Sequence, residues 1–310
     1  MSKILVLCQD PTLTDWLIAL FAEHAPHLEV MRPNDAQAQL AEVAVCWFPP
    51  EGSLGALPRL RLVHSIGSGV DHLAQDRSRD ASVPVCRVVD PDHTQGMSEY
   101  VHWGVLHFHR GFDQVIANNP RQHWQRPVQR KAQDYKVGVM GLGAIGAPVA
   151  QRLAAAGYQV RGWARSPRHV HGISTFAGAP ELQDFLTGVD VLVNLLPLTA
   201  STRGVLSQAV FRHMAKGSGL INCGRGQHLE ADDLRQALAS GRLRGALLDV
   251  FEREPLPADS PLWHTPGVWV TPHMASAASD RCIAQQVADN VSRLAAGLEL
   301  NNRVDPELGY

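Results

Sequence analysis

Short apolar runs alternate with amphipathic stretches along most of the chain, a rhythm that predicts α/β architecture with parallel sheets. In the first third, Ile4–Cys8, Val43–Trp47, Leu62–Ser65 and Val83–Val88 read as strands, with a helix over Asp15–His24 between the first pair. Ser98–Phe112 carries apolar residues at helical spacing and is long enough to cross between domains. Pro120–Lys131 is polar, rich in Gln and Arg, and reads as a loop. A second series begins at Tyr135, with strand Val137–Met140, helix Ile145–Ala156 and strand Gln159–Trp163. Strands follow at Val189–Leu195, Gly219–Cys223, Ala246–Val250 and Val268–Thr271. A helix is predicted over Ala231–Ser240, with Gly241 placed to end it. The last long helix, Ser279–Ala296, follows the final strand of the second series. If it packs back on the first domain, that domain is discontinuous.

Composition narrows the class. At ~150 residues per domain, 310 residues suggest two domains, and 45% hydrophobic with 19% charged residues supplies ordinary globular cores. Lys+Arg 28 against Asp+Glu 30 leaves a net charge of −2, without the basic footprint of a nucleic-acid binder. No run reaches the ~18 apolar residues of a membrane span, so no membrane partner is expected. The N-terminal run stops at Gln9-Asp10, too soon for a signal peptide, and reads as a first strand. Cys8, Cys46, Cys86, Cys223 and Cys282 are odd in number and contain no C-x-x-C pair, which suits free thiols in a reducing cytoplasm. No metal site is expected: His107-Phe-His109 and His169-Val-His171 lack the spacing and carboxylate company of one.

The first chemical signal is Gly141-Leu-Gly143-Ala144-Ile145-Gly146, a G-x-G-x-x-G directly after a strand and opening a helix. Gly141 permits the tight turn, Gly143 lets backbone approach a pyrophosphate, and Gly146 allows close helix–strand packing near the positive helix N-terminus. A site for NAD would end its second strand in an acid about twenty residues on. Here the strand runs into Ala164-Arg165-Ser166-Pro167-Arg168, with no acid in the stretch. Guanidinium and hydroxyl groups at Arg165, Ser166 and Arg168 suit a 2′-phosphate that a carboxylate would repel, which favours NADPH over NADH.

Three later motifs put ionisable groups just beyond strand ends, where open α/β sheets bind ligands. They are Asn222-Cys223-Gly224-Arg225-Gly226, Asp249-Val-Phe-Glu252-Arg-Glu254-Pro255, and Thr271-Pro272-His273-Met-Ala275-Ser276. Singly, Arg225, Glu254 and His273 each have a bland reading. Together, an arginine, a carboxylate and an imidazole beside a bound nicotinamide are what reduction of a 2-keto acid requires.

With these motifs, and with Ser65-Ile-Gly67-Ser68-Gly69-Val70-Asp71-His72, Met97-Ser-Glu99-Tyr100-Val101, Leu195-Leu196-Pro197-Leu-Thr199 and the ending Val304–Tyr310, the sequence resembles the D-isomer-specific 2-hydroxyacid dehydrogenase family. Within it, the glyoxylate/hydroxypyruvate reductase A branch is most similar. The resemblance implies two doubly wound parallel-sheet domains: a Rossmann cofactor domain at 98–275 and a discontinuous flavodoxin-like substrate domain at 1–97 and 276–310. It implies that Arg225 binds the substrate carboxylate and polarises the keto oxygen, and that His273 donates a proton to that oxygen. Glu254 would hydrogen-bond the other imidazole nitrogen, fixing the tautomer and favouring the protonated ring. Gly67, Ser68, Gly69 and Val70 would offer backbone N–H groups to the carboxylate, which the glycines suit by allowing close approach. Cofactor contacts are implied for Ala144, Ile145, Leu196, Pro197, Cys223, Gly224, Arg225, Asp249, His273, Ala275 and Ser276. The departures are small: Ser68 stands where Ala is common, and Met97-Ser98 replaces a more usual small or proline-containing pair.

The expected activity is NADPH-preferring reduction of glyoxylate and hydroxypyruvate, with NADH weaker, in a cytoplasmic homodimer. Reduction of larger keto acids such as phenylpyruvate stays open, as does a dinucleotide-sensing interaction protein. A formate dehydrogenase is disfavoured, because that resemblance calls for Gln where Glu254 stands. Trp47, at a strand end, either walls a pocket for short substrates or is a core residue. Trp124 either belongs to an arm embracing a partner subunit or is a rim contact.

Overall fold

A computed structural model describes residues 3–305 of the chain. The part of the family-like ending beyond Asp305 lies outside the described residues. The chain divides into two compact units, Met1–His93 with Ala277–Tyr310, and Thr94–Ser276. The expected boundaries were 97/98 and 275/276.

The first unit holds a parallel sheet of β1 (Lys3–Cys8), β2 (Glu29–Met31), β3 (Val43–Trp47), β4 (Leu62–Ser65) and β5 (Val85–Cys86), in the order β2-β1-β3-β4-β5. That is the flavodoxin-like order. Both faces are covered, so its strands read as nearly continuous apolar runs. Ile4, Val6, Val43 and Val45 pack with Leu17 and Phe21 of the helix Pro11–His24 and with Ile283, Val287 and Val291 of the C-terminal helix Asp280–Ala296. Leu5, Leu7, Ala44 and Val63 alternate onto the other face against Leu54 and Leu57. The last helix therefore belongs to the first unit, as its position in the sequence implied.

The second unit holds β6 (Lys136–Met140), β7 (Gln159–Ala164), β8 (Ser174–Ala177), β9 (Val191–Asn194), β10 (Ser218–Asn222), β11 (Leu243–Leu248) and β12 (Val268–Val270), all parallel, in the order β12-β11-β10-β9-β6-β7-β8. The order reverses between β6 and β9, the switch point at which Rossmann folds bind dinucleotides. Register aligns the strand ends: Met140 pairs with Asn194, Asn194 with Asn222, Asn222 with Leu248, and Leu248 with Val270. The glycine loop and the loops carrying Cys223–Arg225, Asp249–Glu254 and Thr271–Ser276 consequently leave one edge of the sheet side by side.

Several elements differ from expectation. The helix predicted over Ser98–Phe112 runs from Pro91 to His109. Its start is set by Asp90, whose carboxylate accepts the Asp92 N–H at 2.9 Å, with Pro91 suited to the first turn. Gly111 at φ +73 ends that stretch, and Phe112–Asn118 forms a separate helix. Val83–Val88 contracts to Val85–Cys86, since Pro84 has no N–H to offer a ladder. Edge strands β2 and β8 and the short helices Leu182–Leu186 and Gln208–Phe211 were not expected; they are too short to show a period. Cys8, Cys46, Cys86 and Cys223 are buried and all five cysteines are free. Among the described residues no helix is long and apolar enough to cross a membrane.

Candidate active site

The glycine loop is shaped by contacts that leave no room for side chains. Gly141 has φ +97, and a Cβ there would lie 2.7 Å from the Leu195 carbonyl oxygen. A Cβ on Gly146 would stand 1.8 Å from the Gly141 oxygen, so the helix Gly146–Ala155 starts hard against the turn. At Gly143 a Cβ would meet nothing within 4 Å. A bare, open backbone turn at a helix N-terminus is what a pyrophosphate needs. Ala144 and Ile145 complete it, and the Leu195 N–H donates to Met140 O at 2.8 Å, bringing Leu196 and Pro197 alongside. Just past β7, Arg165, Ser166 and Arg168 are exposed, and Arg168 Nη1 lies 3.5 Å from Leu142 O of the glycine loop. These residues fit a dinucleotide carrying a 2′-phosphate.

Arg225 follows β10, its Nη1 donating to Gly224 O at 2.8 Å. Farther along the same sheet edge, His273 Nδ1 and Glu254 Oε2 are 2.7 Å apart, and Glu254 Oε1 accepts the Phe251 N–H at 2.8 Å. Burial alone would raise the Glu254 carboxyl, but the hydrogen bonds from His273 and Phe251 and the charges of His273 and Arg225 hold it below its ordinary range. An ionised Glu254 accepts, so Nδ1 carries the proton and the ring presents Nε2 on its other edge. His273 sits at φ +51, the left-handed region that side chains seldom adopt outside Asn, Asp and His.

Asp249 holds that backbone. Its carboxylate, 1% exposed, accepts from Thr271 Oγ1 at 2.7 Å and from the N–H groups of Met274 and Ala275 at 2.9 Å each, while its carbonyl accepts the His273 N–H at 2.9 Å. Tyr100 extends the chain, its hydroxyl lying 2.5 Å from Thr271 Oγ1. Asp249 is thus engaged with the loop that presents His273, an arrangement its place in the sequence did not reveal. Cys223 is buried, which pushes its thiol well up and keeps it neutral. Ser276 closes the loop.

In the first unit, Gly67–Val70 follows β4. Ser65 Oγ accepts the Gly67 N–H at 3.2 Å and lies 2.9 Å from Gly69 O, while Ser68 Oγ donates to Val88 O at 3.0 Å. Gly67 therefore uses its N–H within the loop. Trp47 is half-buried and lies on this loop: a Cβ on Gly67 would come within 2.7 Å of its ring, and its centroid is 4.6 Å from that of His72. It also packs on the sheet core, so both sequence readings of Trp47 keep structural support. Trp124 is fully exposed. His107 and His109 are buried packing residues, His107 against Trp269 and His109 between Tyr158 and Arg130 O.

Sequence reasoning passed over Asn194, Asn222 and His228, which are fully buried beneath Arg225. The available signal was a polar residue ending each of two otherwise apolar runs, Val191-Leu-Val-Asn194 and Gly219-Leu-Ile-Asn222.

The NAD-binding domain of the D-isomer specific 2-hydroxyacid dehydrogenases matches residues 103–275. The chain belongs to the D-isomer specific 2-hydroxyacid dehydrogenase family. It is 41% identical over 302 residues to glyoxylate/hydroxypyruvate reductase A of Serratia proteamaculans, covering 96% of each chain. It superposes with a TM-score of 0.93 on a crystal structure of a family member from Klebsiella pneumoniae, 44% identical and covering 99% of this chain and 98% of that one. An NADPH-dependent glyoxylate/hydroxypyruvate reductase from Sinorhizobium meliloti, in complex with NADP and sulfate, gives a TM-score of 0.91 at 36% identity, over 100% of both chains.

Proposed function

We propose that this protein is an NADPH-preferring reductase of small 2-keto acids, converting glyoxylate to glycolate and hydroxypyruvate to D-glycerate. The observation that carries the reading is the His273–Glu254 pair at 2.7 Å, on the sheet edge that also carries Arg225 and the glycine loop. Likeness to reductases acting on those substrates supports it.

Each group has a part in the reaction. Gly141, Gly143 and Gly146 with Ala144 and Ile145 receive the pyrophosphate, and Leu196, Pro197, Cys223 and Gly224 line the dinucleotide. Arg165, Ser166 and Arg168 bind the 2′-phosphate, the group that separates NADPH from NADH. Bound NADPH supplies the hydride. Arg225 pairs with the substrate carboxylate and draws electron density from the keto oxygen. As the imidazolium, His273 gives its Nε2 proton to that oxygen as the hydride reaches the keto carbon, and is left as the neutral ring with its Nδ1–H on Glu254. Asp249 keeps the His273–Ser276 backbone in place. Ser68, Gly69 and Val70 offer N–H groups to the carboxylate, with Gly67 serving the shape of the turn and Trp47 bounding the space toward short acids.

A homodimer is the further reading. Phe112, Ile116, Trp124 and Val128 are large apolar side chains at least half exposed on consecutive segments of the second unit. A second copy covering them would remove that area from water. Sedimentation should give a dimer, weakened by Trp124→Glu; a monomer at micromolar concentration contradicts it. A cytoplasmic location goes with the free cysteines and is checked by fractionation.

Replacing His273 by Ala tests the mechanism. General acid catalysis contributes roughly 10²–10⁴-fold, so kcat should fall by about that factor while NADPH binds almost as before. Near-normal kcat in His273→Ala would refute the proton-donor role.

A further inference from the structure

Beneath the Arg225 loop lies a polar cluster in which Asn194, Asn222 and His228 are each fully buried. Buried polar groups are costly unless their hydrogen-bonding capacity is met, so the pattern of their bonds identifies what they hold. Asn194 and Asn222 face each other in register at the ends of β9 and β10. The Asn194 amide donates to Asn222 Oδ1 at 2.9 Å and stands 2.9 Å from His228 Nδ1, while its Oδ1 accepts the Leu196 N–H at 3.3 Å. Asn222 Oδ1 also accepts the Gly224 N–H at 3.2 Å, and its Nδ2 donates to Arg225 O at 3.1 Å.

His228 completes the hold. Its Nδ1 accepts the backbone N–H of Arg225 at 3.0 Å, and its Nε2 lies 3.3 Å from Pro197 O. A carbonyl only accepts, so Nε2 carries the proton, and Nδ1, facing two N–H donors, is the bare acceptor. The ring is the neutral Nε2–H tautomer. Arg225 is thereby pinned at both ends of its own backbone unit, N–H by His228 and C=O by Asn222. Gly224 is required beside it: a Cβ there would lie 2.7 Å from Asn194 Nδ2 and 2.8 Å from His228 Nδ1.

We propose that His228 is a positioning residue of the reductase site, fixing Arg225 through Nδ1 and tying it to the Leu196–Pro197 cofactor loop through Nε2. The inference rests on the reading of Arg225 as the residue that binds the keto acid. Its two arms separate by chemistry. In His228→Asn the side-chain oxygen falls near the place of Nδ1 and still accepts from Arg225 and Asn194, but the shorter side chain does not reach Pro197. In His228→Leu both arms are gone and the Arg225 N–H is left buried without that acceptor.

The test measures the glyoxylate KM and kcat, the NADPH dissociation constant by fluorescence, and Tm, in the full-length protein. For His228→Leu we expect the glyoxylate KM to rise roughly tenfold or more, with NADPH binding weakened several-fold. His228→Asn should restore the glyoxylate KM to within about threefold of wild type while NADPH binding stays weak. A lower Tm with unchanged binding constants would reduce His228 to a structural role and overturn the proposal. So would an asparagine variant no better than leucine in its KM. Should the leucine variant fail to fold, nitrogen NMR of the histidine rings in the wild type decides: an Nε2–H ring at His228 is expected, and an Nδ1–H ring contradicts the assignment. NADPH binding and the tautomer are read without turnover. A wild-type protein inactive on keto acids would therefore sink the proposed reaction separately from this inference.

Discussion

At the end of β7 the residues that follow Ala164 are Arg165, Ser166 and Arg168, all exposed, with Arg168 reaching the glycine loop at Leu142 O. A phosphate there would meet guanidinium and hydroxyl groups, and a bare ribose would gain nothing from them. Hydrogen bonds to charged groups are worth about 1.5–3 kcal/mol, so Arg165→Ala should cut the NADPH-over-NADH preference in kcat/KM by roughly ten- to a hundredfold. An unchanged ratio in steady-state assays with both cofactors would remove Arg165 from the 2′-phosphate site. The position of these residues was legible because it depends on residue type just past a strand; their role with the 2′-phosphate is the proposal that this ratio tests. Arg225, Glu254 and His273 were legible for the same reason. The clamp of Asp249 on the His273 loop and the seat of Arg225 on His228 were not. Their partners are backbone N–H groups, which every residue except proline carries, so no residue type marks them.

Among the elements, β4 and the C-terminal helix Asp280–Ala296 share a buried polar contact: His64 Nε2 lies 3.1 Å from Asn290 Nδ2, and Nδ1 is 2.9 Å from Ser65 O. Asn290 in turn exchanges bonds with Asn301 beyond the helix. Complete burial pushes the His64 imidazole down from 6.5 to about 4. The unfolded chain therefore takes up a proton below about 6.5 that the folded chain refuses until about 4. Stability falls as pH falls through that window, by up to about 3 kcal/mol, and the loss is absent above it. The drop in urea midpoint from pH 7 to near pH 4.5 should be smaller in His64→Asn than in wild type, even if the variant is weaker at pH 7. Parallel slopes would contradict the assignment. The helix itself was legible from its 3.6-residue apolar period; its tie to His64 was not, because a histidine inside an apolar strand does not announce its partner.

At the scale of the whole molecule, one chain builds two parallel sheets and passes between the units twice. That connectivity was readable, since a long amphipathic helix after the last strand of the second series needs an apolar surface, and the first sheet supplies it. What the edge strands and short helices add was hidden by their length. The assembled chain presents an open glycine turn, exposed Arg165 and Arg168 just past β7 and a carboxylate-backed imidazole, all in the second unit, and the proposed function joins them in one reaction, with one cofactor and small substrates. The direct test is the rate of NADPH and NADH oxidation by the purified protein with glyoxylate, hydroxypyruvate and phenylpyruvate. Fast oxidation of NADPH with the two small acids, slower with NADH and with phenylpyruvate, is the predicted result. Preference for phenylpyruvate would contradict the substrate assignment, and tight NADPH binding without turnover of any keto acid would contradict the enzyme itself.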